Sequence, residues 1–365
     1  MTAHPPSSRP RGSSSLSSRF LPRVLAWELT QRCNLNCIHC RAAAGEEAPE
    51  GELSLAEYQR LVDEVCSFSS PIIILTGGEP LLRPDLFEIA AYATARGLRV
   101  AVSTNGTLVT KETAGRLLAA GVNTCSISID GSCAAVHDDF RKQPGAFAAS
   151  LKGMRLLQEA GIKVQVNTSL TRRNMHDLDN VFRLVKELRA HAWHIFMLVP
   201  TGRGESEADQ ELIGAEDYER ILNYIYEKNR DEEMEIKPTC APQYYRVLRQ
   251  RAQAEGIPVD PEHFGLNART RGCLAGLGFG FVSYAGEVYP CGYYPVSAGN
   301  VREESFRNIW EKSELFLKLR DFKNYKGACG RCGYLRVCGG CRARAYALTG
   351  DDLGPEPYCS YGQGL

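Results

Sequence analysis

The sequence has no charge imbalance: 43 Lys and Arg stand against 43 Asp and Glu in 365 residues. Without a basic footprint, nucleic acid is excluded as the main partner. Long hydrophobic runs are missing as well. Purely apolar stretches last only a few residues, as in Ile72–Leu75, far short of the ~20 needed to cross a bilayer, so no membrane span is expected. Nothing at the start reads as a secretory signal. Met1–Ser18 is rich in Ser, Pro and Arg, lacks acids, and has Leu16 as its sole large aliphatic after Met1. Such a stretch has almost nothing to bury and no amphipathic face, which predicts a disordered tail over 1–21 rather than an organelle transit peptide.

Cysteine, by contrast, is abundant, with fourteen in the chain. A disulfide framework belongs to small secreted domains, whereas this chain is large, and its 44% hydrophobic and 24% charged residues suit an ordinary buried core. Several cysteines fall at CxxC-type spacings, which favours metal and a reducing cytoplasm.

From Val24 to about Asn229, short β-branched runs alternate with amphipathic stretches. Strands are expected at Val24–Leu29, Ile72–Thr76, Val100–Thr104, Thr124–Ile129, Val164–Ser169 and His194–Val199. Helices are expected at Leu55–Phe68 (with Ser54 as N-cap), Asp85–Ala95, Lys111–Ala120, Ala146–Ala160, Leu178–Arg189 and Ala215–Arg230. Gly97, Gly121 and Gly161 sit where a helix C′ glycine belongs. Such alternation implies an α/β protein with parallel pairing. After Lys237-Pro238-Thr239-Cys240-Ala241-Pro242 the periodicity fades, and 236–270 reads as a linker. From Arg271 to 365 the chain is dense in Cys, Gly and turn residues, with one helix at Ser305–Leu319. Metal could supply the stability that this segment cannot draw from packing.

Cys33, Cys37 and Cys40 form a CxxxCxxC run, and Thr76-Gly77-Gly78-Glu79-Pro80 follows downstream. Three thiolates so spaced can hold three irons of a 4Fe–4S cluster and leave the fourth for another chelator. A structural zinc site is the alternative, but it usually pairs CxxC units or mixes in His. The two motifs together resemble the radical S-adenosylmethionine (SAM) superfamily. The resemblance implies a partial (β/α)6 TIM-like barrel over 22–235, with the motifs at the carboxyl ends of the strands. It also implies that SAM chelates the open iron and is cleaved reductively to a 5′-deoxyadenosyl radical. Gly77, Gly78, Glu79 and Pro80 would then receive the methionyl amino group. Ser103, Asn105, Ser128, Asp130 and Asn167 would stand near the ribose and head group, and Arg141 would suit the SAM carboxylate.

Seven further cysteines, Cys273, Cys291, Cys329, Cys332, Cys338, Cys341 and Cys359, resemble the SPASM extension of radical SAM enzymes, a module carrying one or two auxiliary 4Fe–4S clusters. The usual central run is CxxCx5Cx3C, and Cys341 arrives one residue early. The resemblance puts Cys329, Cys332, Cys338 and Cys359 on an outer cluster and Cys273, Cys291 and Cys341 on one nearer the barrel. Eight ligand places meet seven thiolates, so one iron is open or Cys240 supplies the eighth. Structural zinc is again the alternative. Cys66, Cys125 and Cys133 read as buried small hydrophobes.

Longer strings narrow the resemblance: Trp27-Glu28-Leu29-Thr30, Thr239-Cys240-Ala241-Pro242-Gln243-Tyr244, Gly272-Cys273-Leu274-Ala275-Gly276 and Cys338-Gly339-Gly340-Cys341-Arg342-Ala343-Arg344. Together they resemble the heme b synthases of the siroheme-dependent heme pathway, which turn two propionates of iron-coproporphyrin III into vinyls. That implies an iron-porphyrin substrate and a low-potential donor such as ferredoxin or flavodoxin. Arg203, Arg269, Arg271 and Tyr244 are candidate substrate contacts, and His194 is a candidate ligand of the porphyrin iron. A deacetylase of didecarboxysiroheme, a heme d1 enzyme and a peptide maturase are the alternatives. Met1–Leu21 is too short and polar for the winged helix that many such maturases carry.

Overall fold

Each β-branched run expected as a strand between Val24 and Val199 forms one, within two residues at either end. In this computed structural model, which describes residues 20–231 and 234–364, they are β1 (Val24–Glu28), β2 (Ile72–Thr76), β3 (Arg99–Thr104), β4 (Thr124–Ser128), β5 (Lys163–Leu170) and β6 (Ala192–Met197). All six lie parallel and in chain order. The disordered tail expected over 1–21 lies outside the described residues up to residue 19. At its end, the Phe20 carbonyl accepts a 2.6 Å hydrogen bond from the Trp310 indole.

Connections between these strands carry α1 (Leu55–Cys66), α2 (Leu86–Ala95), α3 (Lys111–Ala119), α4 (Ala134–Arg141), α5 (Ala146–Glu159) and α6 (Leu178–Glu187). Ser54 caps α1 in a reciprocal box with Glu57, as its position implied. Of these helices α4 was not foreseen. It ends at Lys142 in a left-handed turn, where sequence offers no glycine to mark the stop.

The segment expected as a linker is regular structure. After α7 (Arg203–Ser206), α8 (Ala208–Glu211) and α9 (Ala215–Asp231), residues Glu235–Thr239 add a seventh parallel strand, β7, beside β6. Then follow α10 (Tyr244–Glu255) and α11 (Pro261–Arg269). The partial barrel therefore has seven consecutive parallel strands rather than six. On the far side of β1 the cysteine-rich segment joins the same sheet: β8 (Phe279–Val282) pairs parallel with β1, and β9 (Glu287–Tyr289) and β10 (Gly299–Asn300) continue antiparallel. The single helix expected at Ser305–Leu319 is two, α12 (Phe306–Lys312) and α13 (Glu314–Arg320). Ser313 separates them in an extended conformation and caps the second. The chain ends through α14 (Gly327–Arg331) and α15 (Arg342–Thr349).

Period-two alternation decides which side chains serve packing and which serve chemistry. Leu25, Trp27, Ile73, Leu75, Val102, Ile127, Val166, Trp193 and Ile195 point outward into the core beneath the helices, all at most 1% exposed. Their neighbours Ser103, Ser126, Ser128, Gln165, Asn167 and His194 are half-buried on the inner face. The inner face is thus largely polar, and its chemistry lies at the carboxyl ends of the strands.

Candidate functional site

Glycine packing sets the first cysteine loop. A Cβ on Gly77 would stand 2.6 Å from the Thr30 carbonyl oxygen, and one on Gly78 would stand 2.4 Å from that of Arg32. The Gly78 and Glu79 amides donate to those same carbonyls at 2.7 and 2.8 Å. So the Gly-Gly pair is required where β2 presses on the backbone leading into Cys33. Glu79 is fully buried; its carboxylate accepts from Thr104 Oγ1 (2.7 Å), the Asn105 amide (2.8 Å) and the Leu81 amide (3.1 Å). Burial nevertheless pushes its carboxyl above the ordinary range. These bonds lock the ends of β2 and β3 together. Asn105 extends the lock, donating to Asn34 inside the cysteine loop at 2.9 Å. Gly78→Ala is expected to shift Cys33, so that iron at the first motif and SAM cleavage fall together while iron in the C-terminal segment stays; metal analysis and deoxyadenosine assay check this.

The rest of the loop is braced from three sides. Arg203 donates to the Cys37 carbonyl (2.8 Å) and the Ala44 carbonyl (2.8 Å). Arg41 pairs with Glu28 at the end of β1 (2.9 Å) and reaches the Gly292 carbonyl next to Cys291 (3.3 Å). Arg141 pairs with the fully buried Asp130, while its Nη1 lies 3.5 Å from Cys37 Sγ and its Nε is buried without a partner. Asp130 also accepts from the Ser169 amide at 2.7 Å. Ser103, Ser128 and Asn167 face the inner side of the barrel, and Asn167 Oδ1 accepts from Gln165 Nε2.

All three sulfurs suit iron. None is in a disulfide. Burial pushes the Cys33 thiol up to about 11 and raises Cys37 as well, so the protein alone does not favour bare thiolates there. A coordinated metal supplies the charge that does. An amide hydrogen bond from Leu35 to Cys33 Sγ and the Arg141 contact are partners typical of cluster sulfurs.

In the C-terminal segment the cysteines gather in two groups. Cys329, Cys332, Cys338 and Cys359 line a cavity of about 250 Å³. The sulfurs of Cys329, Cys332 and Cys338 accept from the amides of Glu356, Tyr334 and Gly340 respectively. Cys273, Cys291 and Cys341 lie together in the second group, and Cys240 lies among them. The early arrival of Cys341 is explained by Gly339 and Gly340, both at positive φ (82° and 60°), which turn the chain from one group into the other within two residues. Cys240 itself sits at φ 56°, its carbonyl held by Arg344 (2.9 Å) and the Tyr218 hydroxyl (3.0 Å). Among the described residues no three Cys, His, Asp or Glu groups converge on a single ion. A four-iron cluster asks for a wider spread, because each thiolate takes a different iron.

The candidate substrate contacts scatter. Arg203 is turned onto the cysteine loop. Arg271 donates to the Leu335 carbonyl (3.3 Å) and covers the Phe322 ring within the C-terminal segment. Arg269 is exposed at the end of α11, and Tyr244 is buried in the core, bonded to Asn229. Only His194 among them faces the inner side. Of the cysteines expected to be buried, Cys125 is, Cys66 is half-buried, and Cys133 is exposed just before α4. Sequence reasoning missed Asn34, Arg41 and Arg344; only their places beside cysteines could have signalled them.

Comparison with known proteins agrees with this geometry. The radical SAM superfamily matches residues 27–185, and the SPASM iron–sulfur cluster-binding domain matches 273–333. An AdoMet-dependent heme synthase of Methanosarcina barkeri is 53% identical over 94% of this chain and 97% of its own. An Fe-coproporphyrin III synthase of the same organism is 35% identical over 92% and 87%. Streptococcus suis SuiB, in a crystal structure with S-adenosylmethionine, superposes with a TM-score of 0.73 over 93% of this chain and 77% of that one. At 16% identity that likeness speaks for the fold.

Proposed function

The chain belongs to the radical SAM superfamily, in the family of the AdoMet-dependent heme synthases, and from that premise we propose that it oxidatively decarboxylates two propionates of iron-coproporphyrin III to the vinyl groups of heme b. As a radical SAM and SPASM protein it uses a 4Fe–4S cluster with SAM, and auxiliary clusters. The observation that carries the substrate assignment is identity at the level of 53% along nearly the full length of a heme synthase, against 35% for the Fe-coproporphyrin III synthase.

When bound, these groups supply a 5′-deoxyadenosyl radical that takes hydrogen from the propionate β-carbon, and an acceptor for the electron left once carbon dioxide departs. The protein's own work is placement. Cys33, Cys37 and Cys40 hold the cluster on a loop that Gly77, Gly78 and Arg203 fix. Glu79 and Pro80 close the end of β2, and Asn105, Asp130 and Arg141 form the polar wall beside Cys37. Ser103, Ser128 and Asn167 present neutral hydrogen-bonding groups to SAM from the inner face. In the module, Cys329, Cys332, Cys338 and Cys359 serve one cluster, and Cys273, Cys291 and Cys341, with Cys240, serve the other. A low-potential donor such as ferredoxin or flavodoxin supplies the reducing electron.

Anaerobic incubation of the reconstituted protein with SAM, reductant and iron-coproporphyrin III is expected to yield heme b. Two carboxyl groups should be lost, with one deoxyadenosine per vinyl formed, as followed by mass spectrometry. Untouched iron-coproporphyrin III together with deacetylation of didecarboxysiroheme would replace this reading.

A further inference from the structure

Among the described residues, Lys237 is a cation on the inner face whose ammonium has no hydrogen bond or ion pair. Ile236 and Pro238, its neighbours along β7, are buried on the outer side, so Lys237 turns inward with Glu235 and Thr239. Its side chain makes no hydrogen bond and no ion pair among the described residues. Glu235, two positions back on the same strand, is the acid whose charge bears on it. An ammonium brings three donors and no acceptor, and taking it out of water without an anion is costly. Burial accordingly holds its pKa below the ordinary lysine value.

Strand register gives this cation its neighbours. Lys237 is level with His194 on β6, His194 with Asn167 on β5, and Asn167 with Ser128 on β4. All four are half-buried on the inner face. Burial and the nearby Lys237 charge hold the His194 imidazole at about 3, so it is neutral and able to donate one hydrogen bond. At about 4.8 Å per strand, Lys237 stands roughly 14 Å across the inner face from Ser128. Ser128 leads directly to Asp130, whose partner Arg141 touches Cys37. The row therefore runs from the cysteine loop to a lone cation, with neutral polar groups between. That layout suits a large, flat molecule that carries a carboxylate at its far edge.

We propose that Lys237, with His194 beside it, forms a carboxylate-binding site that anchors one side chain of the substrate. The proposal deepens the tetrapyrrole reading and rests on it for the owner of the carboxylate. Arg203, one of the arginines the sequence offers for this role, gives its Nε and Nη1 to the Cys37 and Ala44 carbonyls of the cysteine loop.

The test is binding to the full-length, reconstituted protein under anaerobic conditions. Iron-coproporphyrin III and its tetramethyl ester are titrated separately into wild type, Lys237→Gln and Lys237→Arg, and the Soret band is followed. Lys237→Gln is expected to weaken the acid by roughly ten- to a hundredfold, the worth of a hydrogen bond to a charged group. Binding of the ester should not change, and Lys237→Arg should recover part of the loss. Iron content and SAM affinity should match wild type. Unchanged affinity for the acid overturns the proposal, as does equal weakening of acid and ester, which would mark a packing role. A loss confined to SAM affinity would assign the carboxylate to SAM and overturn it too. Wild type that fails to bind iron-coproporphyrin III is a separate outcome: it defeats the tetrapyrrole reading itself, and the site proposal with it.

Discussion

Replacing Cys33, Cys37 and Cys40 together with Ala is expected to abolish reductive SAM cleavage, leaving no deoxyadenosine above background. The same protein should keep the iron held by the C-terminal cysteines and lose roughly the four irons of one cluster. The separation is expected because, apart from the Arg41 bond to the Gly292 carbonyl, the two regions are held by different contacts. The first loop depends on Gly77, Gly78, Arg203 and Asn105. The C-terminal groups depend on their own turns and on Arg342 and Arg344, whose side chains are fully buried. Arg342 donates to the carbonyls of Asp352 (2.9 Å) and Gly354 (2.8 Å), and neither bond involves the first loop. Ala in place of a half-buried or buried Cys removes little volume, so loss of fold is not the expected cause of inactivity. Iron analysis and electron paramagnetic resonance on the triple variant read both halves at once. Retained deoxyadenosine formation would sink the assignment of these cysteines to the SAM cluster.

What could be read from the sequence follows from where each signal comes from. Strands β1 to β6 were legible because each carries buried β-branched or aromatic residues on its outer face and is bounded by turn chemistry. β7 was not, since Glu-Ile-Lys-Pro-Thr has one large apolar residue and a proline. Its position explains the exception. β7 is at the edge of the sheet, where a residue without an amide hydrogen can sit with no ladder bond lost. Tyr244 was misjudged for a related reason. Tyr244, Tyr245, Val247, Leu248 and Ala252 recur at helical spacing and are all buried, a core stripe that a search for substrate contacts passes over.

The site was legible at the level of motifs and opaque at the level of side-chain direction. Spacing alone singles out Cys33, Cys37 and Cys40 as candidate ligands, and the Gly-Gly-Glu-Pro string marks the end of β2. Nothing in the sequence says that Arg203 turns to the Cys37 carbonyl, or that Arg141 is engaged by Asp130. Arg344 is the clearest case. It is fully buried, pairs with Glu356, and donates to the backbone of Leu198 and Cys240, tying β6 to both cysteine groups. Glu356 in turn accepts from the Cys341 amide, while its own amide donates to Cys329 Sγ. One buried ion pair thus touches a ligand candidate of each auxiliary cluster. No linear motif encodes that, because its members come from the residues just after β6 and β7, from α15 and from the loop that follows α15.

Cys240→Ala is expected to lower auxiliary iron content, or to change the auxiliary spectrum, while the signal of the first cluster is untouched. Seven cysteines for eight ligand places left two possibilities open, and the arrangement around Cys240 favours ligation. Its thiol lies among those of Cys341, Cys291 and Cys273, and burial together with those neighbours holds its pKa well above the ordinary thiol value. Its backbone is left-handed, which costs a residue other than glycine about 1–2 kcal/mol. Arg344 and Tyr218 fix that conformation through the carbonyl. A strained residue so fixed, aimed into a thiol cluster, is what a ligand position asks for. Cys240→Gly separates strain from ligation. It relieves the left-handed backbone yet removes the sulfur, so it should lose iron as Cys240→Ala does, even where the apoprotein becomes more heat-stable. If both variants keep their iron and spectrum, and a small thiol or the substrate perturbs the wild-type signal instead, the fourth iron of that cluster is open. A C-terminal segment that takes up zinc and no auxiliary iron would refute both versions, and the electron-acceptor role with them.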